Sequence, residues 1–365
     1  MSSSSDCFVV VPPYCEEGTT VLGRNFENAL SSGDAASCEV QYYEASTAVE
    51  GSSDGGATPE VSSETLRLIL QRPSTNIWGG DIGANERSVC VAVTWTTNEP
   101  EKNSGNLLST DVVRYALATS KDAGEAVERI GSLVENHASN DAKMNFVICD
   151  PVNVWVVSCA VKLWAAQHIT TFYRISSKSL AVTTTINKSS AELNDALKTL
   201  GVWNGEGELN FAAVFDASSE VTWDENEPSS DGSFELLNMF ETLRAAKSAD
   251  TSLASNVSLL TSKGISTHWF TCTPNVNQSV FKPFVFAPNP KISPLTKVSA
   301  DRDVTLLHYL HAQRKPTAVD DLRNLETSCI SEVTKYLVDH DTSNDLDELD
   351  ELMKDCVEAE VKFYR

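Results

Sequence analysis

The sequence has few of the features that mark metalloproteins, membrane proteins and disulfide-rich domains. Its six histidines show no HExxH or other recognisable ligand spacing, so we predict no metal site and no cofactor. No apolar run approaches the length of a membrane span, and the N-terminus lacks the basic region of a secretory signal. The nine cysteines are scattered and include no CxxC pair. We therefore expect reduced thiols in a cytoplasmic protein without membrane insertion.

Positive charge is also scarce. The chain has 28 basic against 51 acidic residues, a formal net charge of −23. Such a surface repels phosphate backbones and anionic membranes, so nucleic acid is excluded as a partner. Length and apolar content indicate a globular protein, because 365 residues with 41% apolar side chains can bury a large core. They allow one large domain with an extension, or two modest domains.

The segment from Cys7 to Asn28 carries the first chemical pattern. A short apolar β-branched run follows Cys7, two prolines end it, and a second strand-like run covers Thr19–Gly23. Antiparallel pairing about the intervening turn sets Arg24 opposite Cys7. A neighbouring guanidinium favours a thiolate, which would make Cys7 a nucleophile and the most reactive of the nine thiols. The alternative is that Cys7 is a small apolar residue opening a buried strand.

The remaining chain predicts an antiparallel α+β protein. Alternating and β-branched runs indicate strands, 3.6-residue periodicity indicates helices, and Asn85 is predicted to be a structural turn residue. A polar, glycine-rich stretch over residues 45–65 predicts a surface loop. The predicted strands are Cys38–Tyr43, Leu66–Gln71, Val89–Thr94, Phe146–Cys149, Val154–Cys159, Leu163–Thr170, Leu180–Asn187, Ser266–Thr273 and Phe281–Ala287. The predicted helices are Leu107–Ala118, Gly124–His137, Ala191–Leu200, Val304–Gln313, Val319–Val338 and Leu346–Phe363, and Phe234–Ala246 and Leu253–Leu260 are predicted as helical or mixed.

Several stretches together resemble the secernins, a branch of the C69 peptidase family that is related to bacterial dipeptidases. They are DCFVVVPP, VLGRN, NIWGGDIGANERSVCVAV, LLSTDVVRYAL, KLWAAQHIT, NGEGELNF and WFTCTPNVNQSVFKPFVFAP, in the family's order from Cys7 to about Pro288. The resemblance implies an N-terminal-nucleophile (Ntn) hydrolase fold, an αββα sandwich of two antiparallel sheets. In that fold the first residue of the mature chain is the nucleophile and its own α-amine is the base.

The resemblance also assigns residues. Cys7 falls on the family's nucleophile and Arg24 on its basic position. Asn25 follows as in the family, and Glu27 stands where the wider superfamily keeps an aspartate that contacts the amine and the substrate. These residues imply a dipeptidase or amidase that cleaves a small peptide or amide substrate.

Other positions depart from the family. The oxyanion asparagine falls on Val93, a second polar position on Lys178, and a glutamate and a glycine of the family on Ser158 and Val161. A valine side chain donates no hydrogen bond, and losing one oxyanion donor costs on the order of a hundredfold in rate. The alternative function is therefore an inactive secernin-like scaffold in exocytosis or trafficking, or a subunit of a protein assembly.

The sequence predicts three regions. Residues 1–6 would be a propeptide, because the Ntn mechanism needs a free amine at Cys7. Residues 7–290 would form the hydrolase-like domain. Beyond a proline-rich stretch, residues 300–365 would form an acidic helical extension. Nine carboxylates between Asp341 and Glu360 predict a solvated helix face there, with binding of a protein partner as the alternative.

Overall fold

A computed structural model describes residues 6–27, 37–46, 64–74, 78–95, 107–138, 143–176, 179–215, 228–315, 318–339 and 346–364. Two antiparallel sheets pack face to face, and helices cover the outer side of each. The predicted α+β sandwich is confirmed. Most of the predicted loop at 45–65 lies outside the described residues. No helix of the described part is both long and apolar enough to cross a bilayer.

The larger sheet, sheet B, has eight strands from the middle of the chain. Its spatial order follows the sequence with one interruption, since the strand that joins the other sheet falls between its last two members. Each strand pairs antiparallel with its predecessor in the sheet, which is typical of a meander, although two helices lie in the connection between the fourth and the fifth strand. The strands are β3 (Cys38–Tyr43), β4 (Leu68–Pro73), β5 (Ile82–Asn85), β6 (Cys90–Trp95), β7 (Lys143–Cys149), β8 (Val154–Ala160), β9 (Leu163–Ile169) and β11 (Lys188–Ser189).

The smaller sheet, sheet A, joins distant parts of the chain. The N-terminal hairpin lies in its middle and pairs on one side with a short strand from the centre of the sequence and on the other with one strand near residue 260. In spatial order the strands are β10 (Tyr173–Ser176), β1 (Asp6–Val10), β2 (Thr19–Phe26), β12 (Ala254–Thr261), β13 (Thr267–Phe270) and β14 (Lys282–Phe284).

The longer helices pack on the outer faces, whereas three short helices add apolar side chains to the cluster between the sheets. Apolar side chains of α1 and α2 cover sheet B, while α5, α7 and α8 contribute to a cluster on sheet A. Their apolar stripes recur at 3.6-residue spacing, which is why the sequence predicted most of them. The helices are α1 (Ser109–Thr119), α2 (Ala123–His137), α3 (Leu193–Thr199), α4 (Phe211–Phe215), α5 (Leu236–Ala245), α6 (Leu306–Ala312), α7 (Ala318–Asp339) and α8 (Leu352–Lys362). Short 3₁₀ turns cover Val276–Gln278, Pro294–Thr296 and Asp347–Leu349.

Two secondary-structure assignments from the sequence need correction. Leu180–Asn187 is not a strand. The backbone N–H groups of Ala181 and Val182 donate to the buried side chains of Asn145 and Ser158 instead of to a neighbouring strand. The stretch Leu253–Leu260, predicted as helical or mixed, coincides except for Leu253 with strand β12, whose eight residues pair along the whole of β2.

The acidic C-terminal face is also not wholly solvated. Glu360 on α8 is fully buried and accepts a 2.7 Å hydrogen bond from the ammonium group of Lys282 on β14. The hydroxyl of Tyr364 donates to the same carboxylate, and Tyr364 is 3.1 Å from Nδ1 of His311 on α6. A buried ionic and hydrogen-bonded network therefore fastens the last helix to sheet A. The boundaries of the three predicted regions stay predictions.

Candidate active site

Cys7 and Arg24 lie directly opposite each other on β1 and β2. The predicted hairpin register is therefore confirmed. Cys7 belongs to the apolar cluster between the two sheets, together with Val9 and Val11, whereas Phe8 belongs to the cluster beneath the outer helices. This alternation follows from the two-residue period of a strand. The structure thus directs the thiol into the space between the sheets.

Arg24 reaches across that space to sheet B. Its Nη1 donates to Oδ2 of Asp81 at 2.6 Å and to the Asp81 carbonyl oxygen at 2.8 Å, and both side chains are fully buried. The same carbonyl oxygen accepts from the backbone N–H of Val93, 3.0 Å away on β6. Asp81 was not predicted from the sequence, because its partner Arg24 is distant along the chain. The signal that could have indicated Asp81 as a site residue was its position at the end of the glycine-rich stretch WGGD.

Two glycines determine where Asp81 lies. A Cβ atom on Gly79 would be 2.1 Å from the carbonyl oxygen of Thr110 at the start of α1, so only glycine fits. The next residue, Gly80, donates its N–H to the same oxygen at 3.1 Å. The turn is therefore held against α1, and it delivers the Asp81 carboxylate to the inner face of sheet B.

Several polar atoms around this ion pair have no hydrogen-bond partner among the described residues. They are Nε and Nη2 of Arg24, Oδ1 of Asp81, Oε1 of Gln71 and Oδ1 of Asn256. Gln71 lies 3.4 Å from Asp81 through its Nε2, and Asn256 is the cross-strand neighbour of Arg24 on β12. Buried polar groups in proteins are nearly always bonded to protein, water or ligand. The cluster therefore has unused donors and acceptors for water or a small polar ligand.

The electrostatics of the intact chain do not activate the thiol. Burial raises the pKa of Cys7 to about 12, because burial opposes the thiolate more strongly than Arg24 favours it. Arg24 is also neutralised by Asp81, whose own pKa burial raises to about 6 despite the ion pair. Arg24 thus acts in the predicted direction but is outweighed by burial in the intact chain, and the rank of Cys7 among the nine thiols stays a prediction.

The structure does not bring Asn25 and Glu27 to this space. Asn25 donates to the Leu243 carbonyl oxygen and to Ser248, and it accepts from Ser255, so protein groups occupy its buried amide. Glu27 accepts from the hydroxyl of Thr251. In the intact chain Asn25 fastens β2 to the segment that follows α5, and its predicted role toward a substrate stays a prediction.

The residue before Cys7 is held firmly. Asp6 is only 3% exposed, and its backbone pairs with β2 and with β10. One carboxylate oxygen accepts from Arg174 at 3.1 Å and the other from the Ser248 hydroxyl at 2.6 Å. The peptide bond between Asp6 and Cys7 therefore lies inside a paired, buried strand.

The expected loss of an oxyanion donor at Val93 needs a different interpretation. Val93 faces the outer cluster under α1 and α2, whereas Cys90 and Ala92 face the space between the sheets. By the same alternation Thr94 faces inward, and its buried hydroxyl has no partner among the described residues. Val93 therefore does not replace a group that would face Cys7. Lys178 lies outside the described residues.

Ser158 and Val161 have structural roles. The Ser158 hydroxyl donates to Asn145 at 2.7 Å and accepts the backbone N–H groups that hold residues 181 and 182. Val161 occupies the turn between β8 and β9 with φ of 53°, a left-handed conformation that glycine favours. Asn85 is confirmed as a turn residue, since its Oδ1 accepts from the N–H groups of Arg87 and Val89.

An open groove lies near β1, but on the other side of the sheet. It has a volume of about 650 Å³, and its lining includes Phe8, Phe172, Arg174 and Phe234. Because Phe8 and Cys7 point to opposite faces, this groove does not lead to the thiol. Within the described residues, no group of three or more His, Cys, Asp or Glu side chains could hold a metal ion.

No family model matches the sequence. Similar solved structures include a mutant of the conjugated bile acid hydrolase from Clostridium perfringens, with 12% identity, 77% of this chain and 92% of that chain covered, and a TM-score of 0.40. Penicillin V acylase from Agrobacterium tumefaciens has 11% identity, 78% and 87% coverage and a TM-score of 0.42. The Caenorhabditis elegans ortholog of N-acylethanolamine-hydrolyzing acid amidase has 9% identity, 69% and 91% coverage and a TM-score of 0.37.

Proposed function

We propose that the chain is the precursor of a cysteine amidase of the N-terminal-nucleophile type, with secernin-like dipeptidase activity on a small peptide or amide. The observation that carries the proposal is the placement of Cys7 beside Arg24, whose buried guanidinium keeps two nitrogens without partners among the described residues. A thiol, a fixed cation and spare hydrogen-bond donors are the parts that acyl transfer needs.

In the mature chain the α-amine of Cys7 would take the proton from the thiol. The sulfur would then attack the carbonyl carbon of the substrate amide, and the unpartnered nitrogens of Arg24 would stabilise the oxyanion. As the C–N bond breaks, the ammonium group returns the proton to the leaving nitrogen, and water hydrolyses the thioester. An α-amine with a pKa near 8 suits this exchange, whereas a peptide nitrogen is not basic.

Maturation requires cleavage between Asp6 and Cys7. This bond is buried in a central strand of sheet A, so an external protease cannot reach it in the folded protein. The group that can reach it is the sulfur of Cys7 itself, by attack on the Asp6 carbonyl carbon. Formation of the thioester would break the Asp6–Cys7 C–N bond, and the thiol proton would pass to the departing nitrogen, which becomes the free α-amine of Cys7. Water would then hydrolyse the thioester, which releases residues 1–6 and restores the Cys7 thiol.

Intact-mass measurement of purified protein tests the proposal. We expect wild-type protein to lose residues 1–6 on incubation and Cys7→Ala to retain them. Cys90→Ala is the matched control, because Cys90 is another fully buried thiol facing the space between the sheets and its loss should leave cleavage intact. If wild-type protein keeps Ser2 to Asp6 quantitatively, before and after incubation with cell extract, the hydrolase proposal fails.

One observation favours the second candidate function, a non-catalytic scaffold. Cys7 is fully buried in the intact chain, and its pKa of about 12 leaves it a thiol at neutral pH. A chain that is never cleaved would therefore keep the fold without turnover. In that case the same mass measurement shows an unprocessed N-terminus, and Cys7 serves as a core residue.

A further inference from the structure

Two of the nine cysteines lie unusually close together. Cys329 on α7 and Cys356 on α8 have their sulfur atoms 3.2 Å apart. A disulfide bond is about 2.0 Å long, so the sulfurs need to approach by roughly 1.2 Å. Because both residues are helical and their sulfurs already face each other, a small rotation of the side chains supplies that movement.

These two thiols are also the most accessible of the nine. Cys329 is 6% and Cys356 8% exposed, whereas six of the other seven are 0% exposed and Cys15 is 2%. Cys15 is further occupied, since its sulfur donates to the carbonyl oxygens of Val10 and Thr19. A reagent arriving from solvent therefore reaches the pair between α7 and α8 before the thiols of the core.

The chemistry of the pair suits thiol–disulfide exchange. The hydrogen bond from Cys356 lowers the pKa of Cys329 and raises the pKa of Cys356. This is the arrangement in which one sulfur attacks as a thiolate while its neighbour stays protonated until the second step.

The two helices that carry the pair hold the outer side of sheet A. Glu326 on α7 accepts from Arg244 at 2.7 Å and from the backbone N–H of Phe281 at 2.8 Å. Glu360 on α8 accepts from Lys282 on β14. The apolar cluster around both cysteines includes Phe8 of β1. A covalent bond between α7 and α8 would therefore tie together the elements that cover the strand carrying Cys7.

We propose that Cys329 and Cys356 are a redox modification site that forms a reversible disulfide with a small-molecule disulfide such as oxidised glutathione. The Cys329 thiolate attacks one sulfur of oxidised glutathione, which forms a mixed disulfide and releases one glutathione thiolate. Cys356 then loses its proton to solvent and attacks the Cys329 sulfur, which releases the second glutathione. Two protein thiols are oxidised by two electrons, and one oxidised glutathione is reduced to two thiols.

The site can be tested on the full-length protein equilibrated with oxidised glutathione and then quenched with acid. We expect a monomer about 2 Da lighter than the reduced protein, because two hydrogens are lost. Digestion with trypsin without reduction should yield residues 324–335 linked to residues 355–362, peptides that hold one cysteine each. Excess reduced glutathione should separate them.

Three results would overturn the proposal: a mass unchanged by oxidised glutathione, a stable glutathione adduct on Cys329 in place of the link, or a link between other cysteines. Cys159→Ser is the matched control, a buried thiol on sheet B whose loss should leave the link intact. Oxidation should raise the thermal midpoint of wild-type protein and of Cys159→Ser but not of Cys329→Ser. The peptide map of wild-type protein decides the question even if a variant folds poorly.

Discussion

Replacing Arg24 with methionine should destabilise the protein strongly. Methionine fills much of the volume but leaves the Asp81 carboxylate, whose side chain is fully buried, without its cation. Removing one partner of a buried ion pair costs about 3–5 kcal/mol, because the remaining charge is neither hydrated nor paired. The free energy of unfolding, measured by urea titration with tryptophan fluorescence at pH 8, should fall by about this amount.

The double variant Arg24→Met/Asp81→Asn tests whether the unpaired Asp81 charge causes the loss of stability. With both charges removed, no charge is stranded, so the double variant should be more stable than the sum of the two single effects predicts, by at least about 1 kcal/mol. Additive effects, or a cost below about 1 kcal/mol for Arg24→Met alone, would refute the inference that Arg24 and Asp81 form a buried, coupled pair.

The contribution of Asp81 to the free energy of unfolding should depend on pH in a definite direction. Burial raises the pKa of Asp81 from its ordinary 3.8 to about 6, so the folded state binds this proton more tightly than the unfolded state. The group's contribution to stability is therefore complete at low pH and is lost as pH rises through about 6. Without Arg24 the pKa should rise further, since a favourable charge is gone. The cost of Arg24→Met should accordingly be larger at pH 8 than at pH 5, and this difference should vanish when Asp81 is asparagine.

Two further substitutions test the packing of the helices. Gly131→Ala should lower the free energy of unfolding by about 1–2 kcal/mol, because the new methyl group would be 2.4 Å from the ring of Trp164 and this crowding exceeds the gain in helix propensity. Gly124→Ala, in the same helix, is the control. Measured by the same urea titration, it should change the free energy of unfolding by less than half as much. Lys282→Met should lower the free energy of unfolding by about 3–5 kcal/mol, because it leaves the buried Glu360 carboxylate without its cation. In this variant, amide hydrogen exchange should be faster in α8 than in α2. Equal protection of the two helices would contradict the structure.

The sequence predicted what depends on neighbours along the chain. The register of Cys7 and Arg24 followed from one hairpin, and the α1 and α2 helices followed from their own periodicity. The sequence-based prediction failed where contacts between residues far apart in the sequence determine the local structure. Leu180–Asn187 resembles a strand until the side chains of Asn145 and Ser158 take its N–H groups.

The candidate site shows the same division. Asp81 was missed because its role depends on an arginine 57 residues away, on the opposite sheet. The inward face of β6 could not be assigned either, since this strand is buried on both faces and lacks the alternation of polar and apolar residues that would tell whether Val93 or Thr94 faces inward. The burial that raises the pKa of Cys7 is a property of the packed sandwich and has no counterpart in a hairpin considered alone.

The order of strands in sheet A has a consequence for synthesis of the chain. Each strand of sheet B pairs with the strand of that sheet made just before it, but β2 must wait for β12, whose partner residues lie about 230 positions further on. At roughly 5–20 residues per second this delay is on the order of 10–50 s. During that time one edge of Thr19–Phe26, a segment that begins with three β-branched residues, has no strand beside it and offers its backbone to other chains. A nascent chain of this protein should therefore depend on chaperone binding near residues 19–26 until about residue 260 has been made.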